Sequence, residues 1–299
     1  MNVLEIKGLS KRFGDKCVLD GLDLTVPEHS IFGFIGRNGA GKTTTMKSII
    51  GLIKTDGGEI QVCDEKVTYG ETKTNRNIGY LPDVPEFYSF MTSREYLRLC
   101  GNISGLTKSE TEERTEKLLN LVGLSDETHR IKGFSRGMKQ RLGIAQALLG
   151  KPKLLICDEP TSALDPIGRK EILDILQSSA KETTVLFSTH ILTDVERICT
   201  DAAFLHNGKI VLQGKIDEIK SMNRNRQFIV ETTRLLDAEK LLATFTNAKL
   251  TAKNTVAFLE TDVDMRDVFR FIADNAIFTE KIERGESDLE ALFLEVTHK

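Results

Sequence analysis

Residues 1–30 alternate between apolar and polar. Val3, Leu4 and Ile6 mark one strand, and Leu22, Leu24 and Val26 alternate with Asp23 and Thr25 to mark a second. A period of two with one apolar face predicts half-buried antiparallel strands. Ile31-Phe32-Gly33-Phe34-Ile35, Leu154-Leu155-Ile156-Cys157 and Thr184-Val185-Leu186-Phe187 are nearly solid apolar runs. Such runs suit parallel strands covered on both faces. Gly57-Gly58 reads as a turn before a short strand Glu59–Val62, and Asn77–Leu81 reads as a strand ended by Pro82.

Between the strands the period becomes helical. A helix is predicted from Lys42 to Ile50 with Gly51 as its stop. Thr92-Ser93-Arg94-Glu95 and Thr107-Lys108-Ser109-Glu110 are capping boxes opening two more. The first runs to about Ile103, and Gly123 stops the second. A helix from Ser135 to Leu149 follows, with Gly150 as its stop, so residues 92–150 read as a helical insert. Ile172, Leu173, Ile175 and Leu176 belong to another helix, and Asn207-Gly208 between two apolar runs predicts a hairpin.

Residues 220–227 are polar and read as a linker. Beyond them the predicted order is strand Phe228–Glu231, helix Leu235–Phe245, strand Lys249–Ala252, strand Val256–Glu260, helix Met265–Asp274 and strand Phe278–Ile282. That β-α-β-β-α-β order is ferredoxin-like. A last helix starts at a capping box, Ser287–Glu290, and shows Leu289, Leu292, Phe293 and Val296 on one face.

Composition narrows the class. The 299 residues are 40% hydrophobic and 28% charged, which fits a soluble globular protein of one or two domains. The net charge is −3; residues 221–299 hold 11 Lys and Arg against 14 Asp and Glu, leaving 30 of each before them. Neither part offers the basic surface of a nucleic-acid binder. The five cysteines are scattered without a C-x-x-C, so no disulfide framework or zinc site is indicated and a reducing cytosol is expected. The N-terminus reads as a strand and not a signal peptide. No run reaches the roughly 20 apolar residues of a membrane span.

The chemistry centres on Gly36-Arg37-Asn38-Gly39-Ala40-Gly41-Lys42-Thr43-Thr44. The spacing G-x-x-x-x-G-K-T, after a strand and opening a helix, is that of a phosphate-binding P-loop. Backbone N–H groups from Gly36 to Thr44 can cradle phosphates, Lys42 can reach the β- and γ-phosphates, and Thr43 can ligate Mg²⁺. Asp158 and Glu159 end an apolar strand. At the C-terminal edge of a parallel sheet Asp158 falls beside the P-loop, where it can hold Mg²⁺, and Glu159 can act as base on water. Ser135 and Gly137 at a helix start offer a second anion site, unless Ser135 is an ordinary N-cap. His190 ends the next parallel strand, within reach of a γ-phosphate or simply structural. Phe13, in a polar loop, either packs there or stacks on a nucleotide base. Phe87, Tyr88 and Phe90 lie in an irregular loop and either pack the core or form an exposed docking surface.

In this order and spacing the stretches resemble the ATP-binding subunit of an ABC transporter over residues 1 to about 215. The resemblance implies that Gly36–Thr43 is the Walker A loop and Leu154–Asp158 the Walker B strand. It makes Glu159 the catalytic glutamate, Ser162–Asp165 the D-loop, His190 the switch histidine and Phe13 the aromatic that stacks on adenine. Ser135-Arg136-Gly137-Met138 is a variant of the signature, usually Leu-Ser-Gly-Gly-Gln. Asp83 stands at the position of the Q-loop glutamine; it can face Mg²⁺, but when ionised it cannot donate a hydrogen bond. These departures, with the tail Leu289–Leu294, are similar to the ABC-2 export type, which includes drug and bacteriocin-resistance exporters.

The expected fold is therefore a P-loop α/β domain over residues 1–219, with an antiparallel edge sheet and a helical subdomain at about 84–150. A small α+β domain over 228–299 follows the linker. The expected activity is ATP hydrolysis with Mg²⁺, in a head-to-tail homodimer or heterodimer of ATPase subunits. The expected partner is a transmembrane permease met at the inner face of the cell membrane, and no nucleic acid is expected. Two other classes compete. A non-transport ABC ATPase acting on nucleic acid or ribosomes is disfavoured by the single motif set, short insert and missing basic face. A module that uses ATP only as a switch is disfavoured by Glu159.

Overall fold

The computed structural model describes residues 1–71, 73–222, 227–260, 262–285, 289, 292 and 293. The chain divides into two units, Met1–Ile216 and Asp217–Lys299.

The first unit holds two sheets. One is antiparallel, in the order β2 (Lys16–Pro27), β1 (Asn2–Phe13), β4 (Gly57–Val62) and β5 (Glu65–Lys66). Its alternating residues Leu4, Ile6, Leu22, Leu24 and Val26 are buried, as the period of two requires. The other sheet runs β10 (Lys209–Lys215), β9 (Asp201–His206), β3 (Ile31–Gly36), β8 (Thr184–Thr189), β7 (Leu154–Asp158), β6 (Ile78–Leu81). It is parallel except for the β9–β10 hairpin. All residues of β3, β7 and β8 are buried, which is why these segments read as solid apolar runs. Asn207 and Gly208 both take positive φ (47° and 79°), as a type I′ hairpin turn needs.

The helices of this unit are α1 (Lys42–Ile49), α2 (Ser93–Ile103), α3 (Lys108–Leu121), α4 (Arg136–Leu148), α5 (Pro166–Ser179) and α6 (Leu192–Ile198); α7 (Ile216–Met222) starts at the unit's last residue and continues into the second unit. α2 and α3 each start with a reciprocal capping box, at Thr92 with Glu95 and at Thr107 with Glu110.

Several boundaries differ from the pattern-based expectation. Phe13 is not in a loop: it is the last residue of β1 and pairs with Lys16. Gly57 and Gly58 lie inside β4, where a Cβ on Gly58 would sit 2.5 Å from the Gly8 backbone. α4 is capped at Leu149, and the left-handed residue beyond it is Lys151 (φ 51°), not Gly150. The polar run begins within a helix, because α7 continues to Met222.

In the second unit β11 (Gln227–Thr232), α8 (Leu235–Thr244), β12 (Lys249–Ala252), β13 (Thr255–Leu259), α9 (Met265–Asp274) and β14 (Thr279–Gly285) follow one another. The sheet order is β12-β13-β11-β14, all antiparallel. This is the split β-α-β arrangement, closed by a core that includes Val230, Leu241, Val256, Phe258 and Val268. Leu289, Leu292 and Phe293 are buried, while Ser287, Asp288, Glu290 and Val296 of the expected last helix lie outside the described residues.

Candidate functional site

The site forms where three neighbouring strands end. β8 lies between β3 and β7. The P-loop leaves β3, Asp158 and Glu159 leave β7, and His190 follows β8. Ligands of open α/β sheets bind at this carboxyl edge. A cavity of about 520 Å³ opens here, lined by Phe13, Asn38, Gly39, Gly41, Lys42, Thr43, Thr44, Asp83, Glu159 and His190, together with Lys16, Val18 and Ser162.

The P-loop backbone is shaped by its glycines. A Cβ on Gly36 would lie 2.8 Å from the Leu205 carbonyl oxygen. Gly41 has a φ of 116°, and a Cβ there would also meet Leu19 at 2.7 Å. α1 starts from Gly41 with no side-chain cap and no acidic residue in its first turn. Its first N–H groups are thus left for an anion, which is the arrangement a nucleotide phosphate requires.

Lys42 is 6% exposed, and its ammonium donates to the carbonyls of Gly36 (2.6 Å) and Arg37 (3.2 Å). It also lies 2.9 Å from Glu159 Oε1. The other oxygen, Glu159 Oε2, is 2.9 Å from His190 Nδ1. Lysine, glutamate and histidine therefore form one chain of contacts across the cavity. Asp158, 2% exposed, sits one residue back, with Oδ1 accepting from Ser188 Oγ at 2.7 Å. Phe13 is 51% exposed at the cavity edge, with Lys11 Nζ 5.0 Å from its ring centroid.

Asp83 reaches the same cavity from the segment after β6. Burial raises its carboxyl above the ordinary range; Arg136 opposes this, and Asp158 and Glu159 add to it. Arg136 Nη2 lies 3.4 Å from Asp83 Oδ1, and buried Gln140 donates to the Asp83 carbonyl at 2.7 Å. Two of the positions that depart from the family pattern, Asp83 and Arg136, thus touch each other.

Among the described residues no group of three or more His, Cys, Asp or Glu could hold a metal alone. The donors present are hard oxygens, Thr43, Asp158 and Asp83. They fit Mg²⁺, which takes one or two carboxylates and completes its shell with phosphate oxygens and water.

Gly36, Ala40 and Asp158 do not line the cavity, nor do Ser135 and Gly137. Ser135 caps α4, accepting the Met138 N–H at 3.2 Å; Gly137 is open, with Leu164 4.0 Å from where a Cβ would be. Lys16 and Val18 line the cavity but carry no sequence signal. Ser188 was visible only as part of Ser188-Thr189-His190, with nothing to show its bond to Asp158.

A P-loop with strand-end carboxylates around one cavity defines a P-loop ATPase. Residues 19–162 match the family model for ABC transporter. The chain is 37% identical over 300 residues to the ABC transporter ATP-binding protein YxlF of Bacillus subtilis (strain 168), covering 99% of this chain and all of that one. It is 41% identical over 225 residues to the bacitracin transport ATP-binding protein BcrA of Bacillus licheniformis, covering 74% and 72%. A solved ATP-binding subunit of an ABC transporter superposes with a TM-score of 0.65 at 35% identity, covering 74% and 92%. The chain belongs to the ABC transporter ATP-binding proteins, ATPases that drive transport.

Proposed function

We propose that this subunit powers an exporter by closing on a second ATPase subunit around ATP. The observation that carries this is the division of its phosphate-binding parts. Phe13, the P-loop, Glu159 and His190 share one cavity, whereas the Ser135–Gly137 helix start is not part of it. A helix start of that kind, directed to another chain's γ-phosphate, completes a shared site. ATP then makes contacts in the closed dimer that its hydrolysis removes, and binding becomes motion.

In this reading Phe13 stacks on the base, and the amides from Gly36 to Thr44 hold the phosphates. Thr43 and Asp158, with Asp83, would hold Mg²⁺, which would neutralise phosphate charge. Lys42 neutralises more of it. Glu159 takes a proton from the attacking water, and His190 orients Glu159. Among the described residues no helix is long and apolar enough to cross a membrane. As membership of the ABC transporter ATP-binding proteins implies, the cargo path belongs to a transmembrane partner, with this subunit at the inner membrane face. A groove of about 460 Å³ lined by Val84, Phe87, Ile131 and Lys139 suits a helix of that partner. Phe87 packs on Tyr96 (ring centroids 5.1 Å apart), while Tyr88 and Phe90 are exposed beside it. Export as the direction rests on the resemblance to the ABC-2 export type; one relative is named for bacitracin transport.

The test is ATP turnover and ATP-dependent dimerisation of the purified chain beside Glu159→Gln. The variant is expected to lose turnover by at least about a hundredfold, as removal of a general base does, and to accumulate as an ATP-bound dimer. A Glu159→Gln chain that stays monomeric with saturating MgATP sinks the shared-site reading.

A further inference from the structure

Ser188 is a fully buried residue of β8, the strand that leads to the histidine, beside β7, the strand that carries the acidic pair. It stands opposite Asp158 in the β7–β8 register, and the pairs beneath, Ile156 with Leu186 and Cys157 with Phe187, are apolar. Its hydroxyl donates to Asp158 Oδ1 at 2.7 Å. The same oxygen accepts the Glu159 backbone N–H at 3.0 Å. A serine has one proton to give, and here it goes to the carboxylate while the lone pairs face the amide. Both capacities are used on neighbouring residues of the hydrolytic site. Asp158 Oδ2 has no hydrogen bond among the described residues.

Asp158 and Glu159 are adjacent, and a strand sends adjacent side chains to opposite faces. They can serve one site only if the chain leaves strand geometry between them. It does so at Glu159, whose φ is 49°. That left-handed backbone is uncommon for a residue with a β-carbon and persists where surrounding structure enforces it. The Ser188 hydroxyl holds the Glu159 backbone N–H in this turn. Two residues further along, the same chain segment carries His190 to Glu159 Oε2.

We propose that Ser188 is a positioning residue for ATP hydrolysis, its one hydroxyl fixing the Asp158 carboxylate and the backbone turn that aims Glu159. This rests on the reading of Asp158 and Glu159 as the hydrolytic pair. The metal-side carboxylate, the base and the histidine then share a frame set by one buried oxygen. Loss of that oxygen frees Asp158 to rotate and Glu159 to relax away from Lys42 and His190. Phe13 and the P-loop are untouched, so nucleotide affinity is preserved while turnover falls.

Ser188→Thr and Ser188→Val test this as a pair. Both add the same methyl group to the buried position and differ in whether the oxygen is kept. Steady-state ATPase, Mn²⁺ affinity of the ATP complex by electron paramagnetic resonance, and the thermal midpoint are measured for each full-length chain. Ser188→Val is expected to lose about 10–100-fold in kcat and to bind Mn²⁺ more weakly, as loss of an outer hydrogen-bond partner does. Its KM for ATP is expected to stay within about twofold and Ser188→Thr to keep kcat within about threefold, since the altered contacts act on the chemical step. Ser188→Ala adds no methyl and carries the comparison should the larger side chains prevent folding; it is expected to match the Val loss. Equal kcat in Ser188→Val and Ser188→Thr, or a Ser188→Val variant with a lowered midpoint and unchanged kcat, overturns the proposal. Glu159→Gln runs alongside. If it loses turnover while Val equals Thr, the role of Ser188 alone fails. If it turns over at the wild-type rate, the reading of the site fails and Ser188 with it.

Discussion

At the scale of single residues, Asp83 is a place where opposing forces meet. Burial raises its carboxyl pKa, and Arg136, 3.4 Å away, pulls it down. The net shift is upward from 3.8, so the folded chain holds the proton more tightly than the unfolded chain does. The stability tied to that proton is complete below the ordinary value and is lost as pH rises through the raised one. Asp83→Asn removes the charge that burial disfavours. It is expected to raise the thermal midpoint slightly, by about 1 °C, near neutral pH, with the gain vanishing toward about pH 4. The effect is small because the side chain is 47% exposed. Parallel melts across that range decide it: a lowered midpoint at neutral pH shows that the Arg136 contact outweighs burial. The residues of the candidate site were legible because each sits in a contiguous run with its own context. Lys42 belongs to a glycine loop between strand and helix, and Asp158 and Glu159 end an apolar strand. The bonds among them were not legible. Ser188 meets Asp158 across 30 positions of sequence, and only strand register brings them together.

At the scale of elements, close backbone approach positions the helices around the site. β6 passes so near the end of α4 that a Cβ on Gly79 would lie 2.2 Å from the Ala147 carbonyl oxygen. Neither side yields easily. β6 is held by its ladder to β7, and Ala147 is helix backbone. Gly79→Ala is expected to cost about 1–3 kcal/mol, the range for overpacking a core. Gly150→Ala has open space around it and is expected to be near neutral. Denaturant midpoints of the two variants check the contrast, and a Gly79→Ala chain as stable as the wild type refutes the close approach. The same comparison explains which elements the sequence revealed. Capping boxes at Thr92 and Thr107 are settled within four residues, so they were read correctly. The order of elements along the second unit was readable from its short apolar runs. Phe13 was misread because Gly14-Asp15 is a tight two-residue turn that keeps it paired with Lys16, and Gly57-Gly58 because close approach to Gly8 is a tertiary event. A glycine pair looks like a turn until a second backbone is seen beside it.

At the scale of the whole molecule, the question is whose nucleotide Ser135 serves. In a two-fold dimer each chain gives its P-loop to one site and its α4 start to the other. Two inactive variants then complement each other. Lys42→Ala removes a phosphate contact at the P-loop and leaves Ser135 intact. Ser135→Glu places a carboxylate where a partner's phosphate is expected and leaves the P-loop intact. Each homodimer has two damaged sites. A mixed dimer has one site with both faults and one with neither. Equal mixing makes about half the dimers mixed, so about a quarter of wild-type hydrolysis is expected to return. Single-turnover measurement is the right readout, because it scores each site without requiring its neighbour to cycle. Ser135→Glu also removes a helix cap worth about 1 kcal/mol, so its thermal midpoint is measured first and the mixing is done below it. Recovery requires that the two parts come from different chains, since no single chain in the mixture carries both. If Ser135→Glu alone hydrolyses ATP normally, the α4 start takes no part in the site. If it is inactive and mixing restores nothing, Ser135 acts within its own chain, and the separation of the α4 start from the nucleotide cavity needs another purpose.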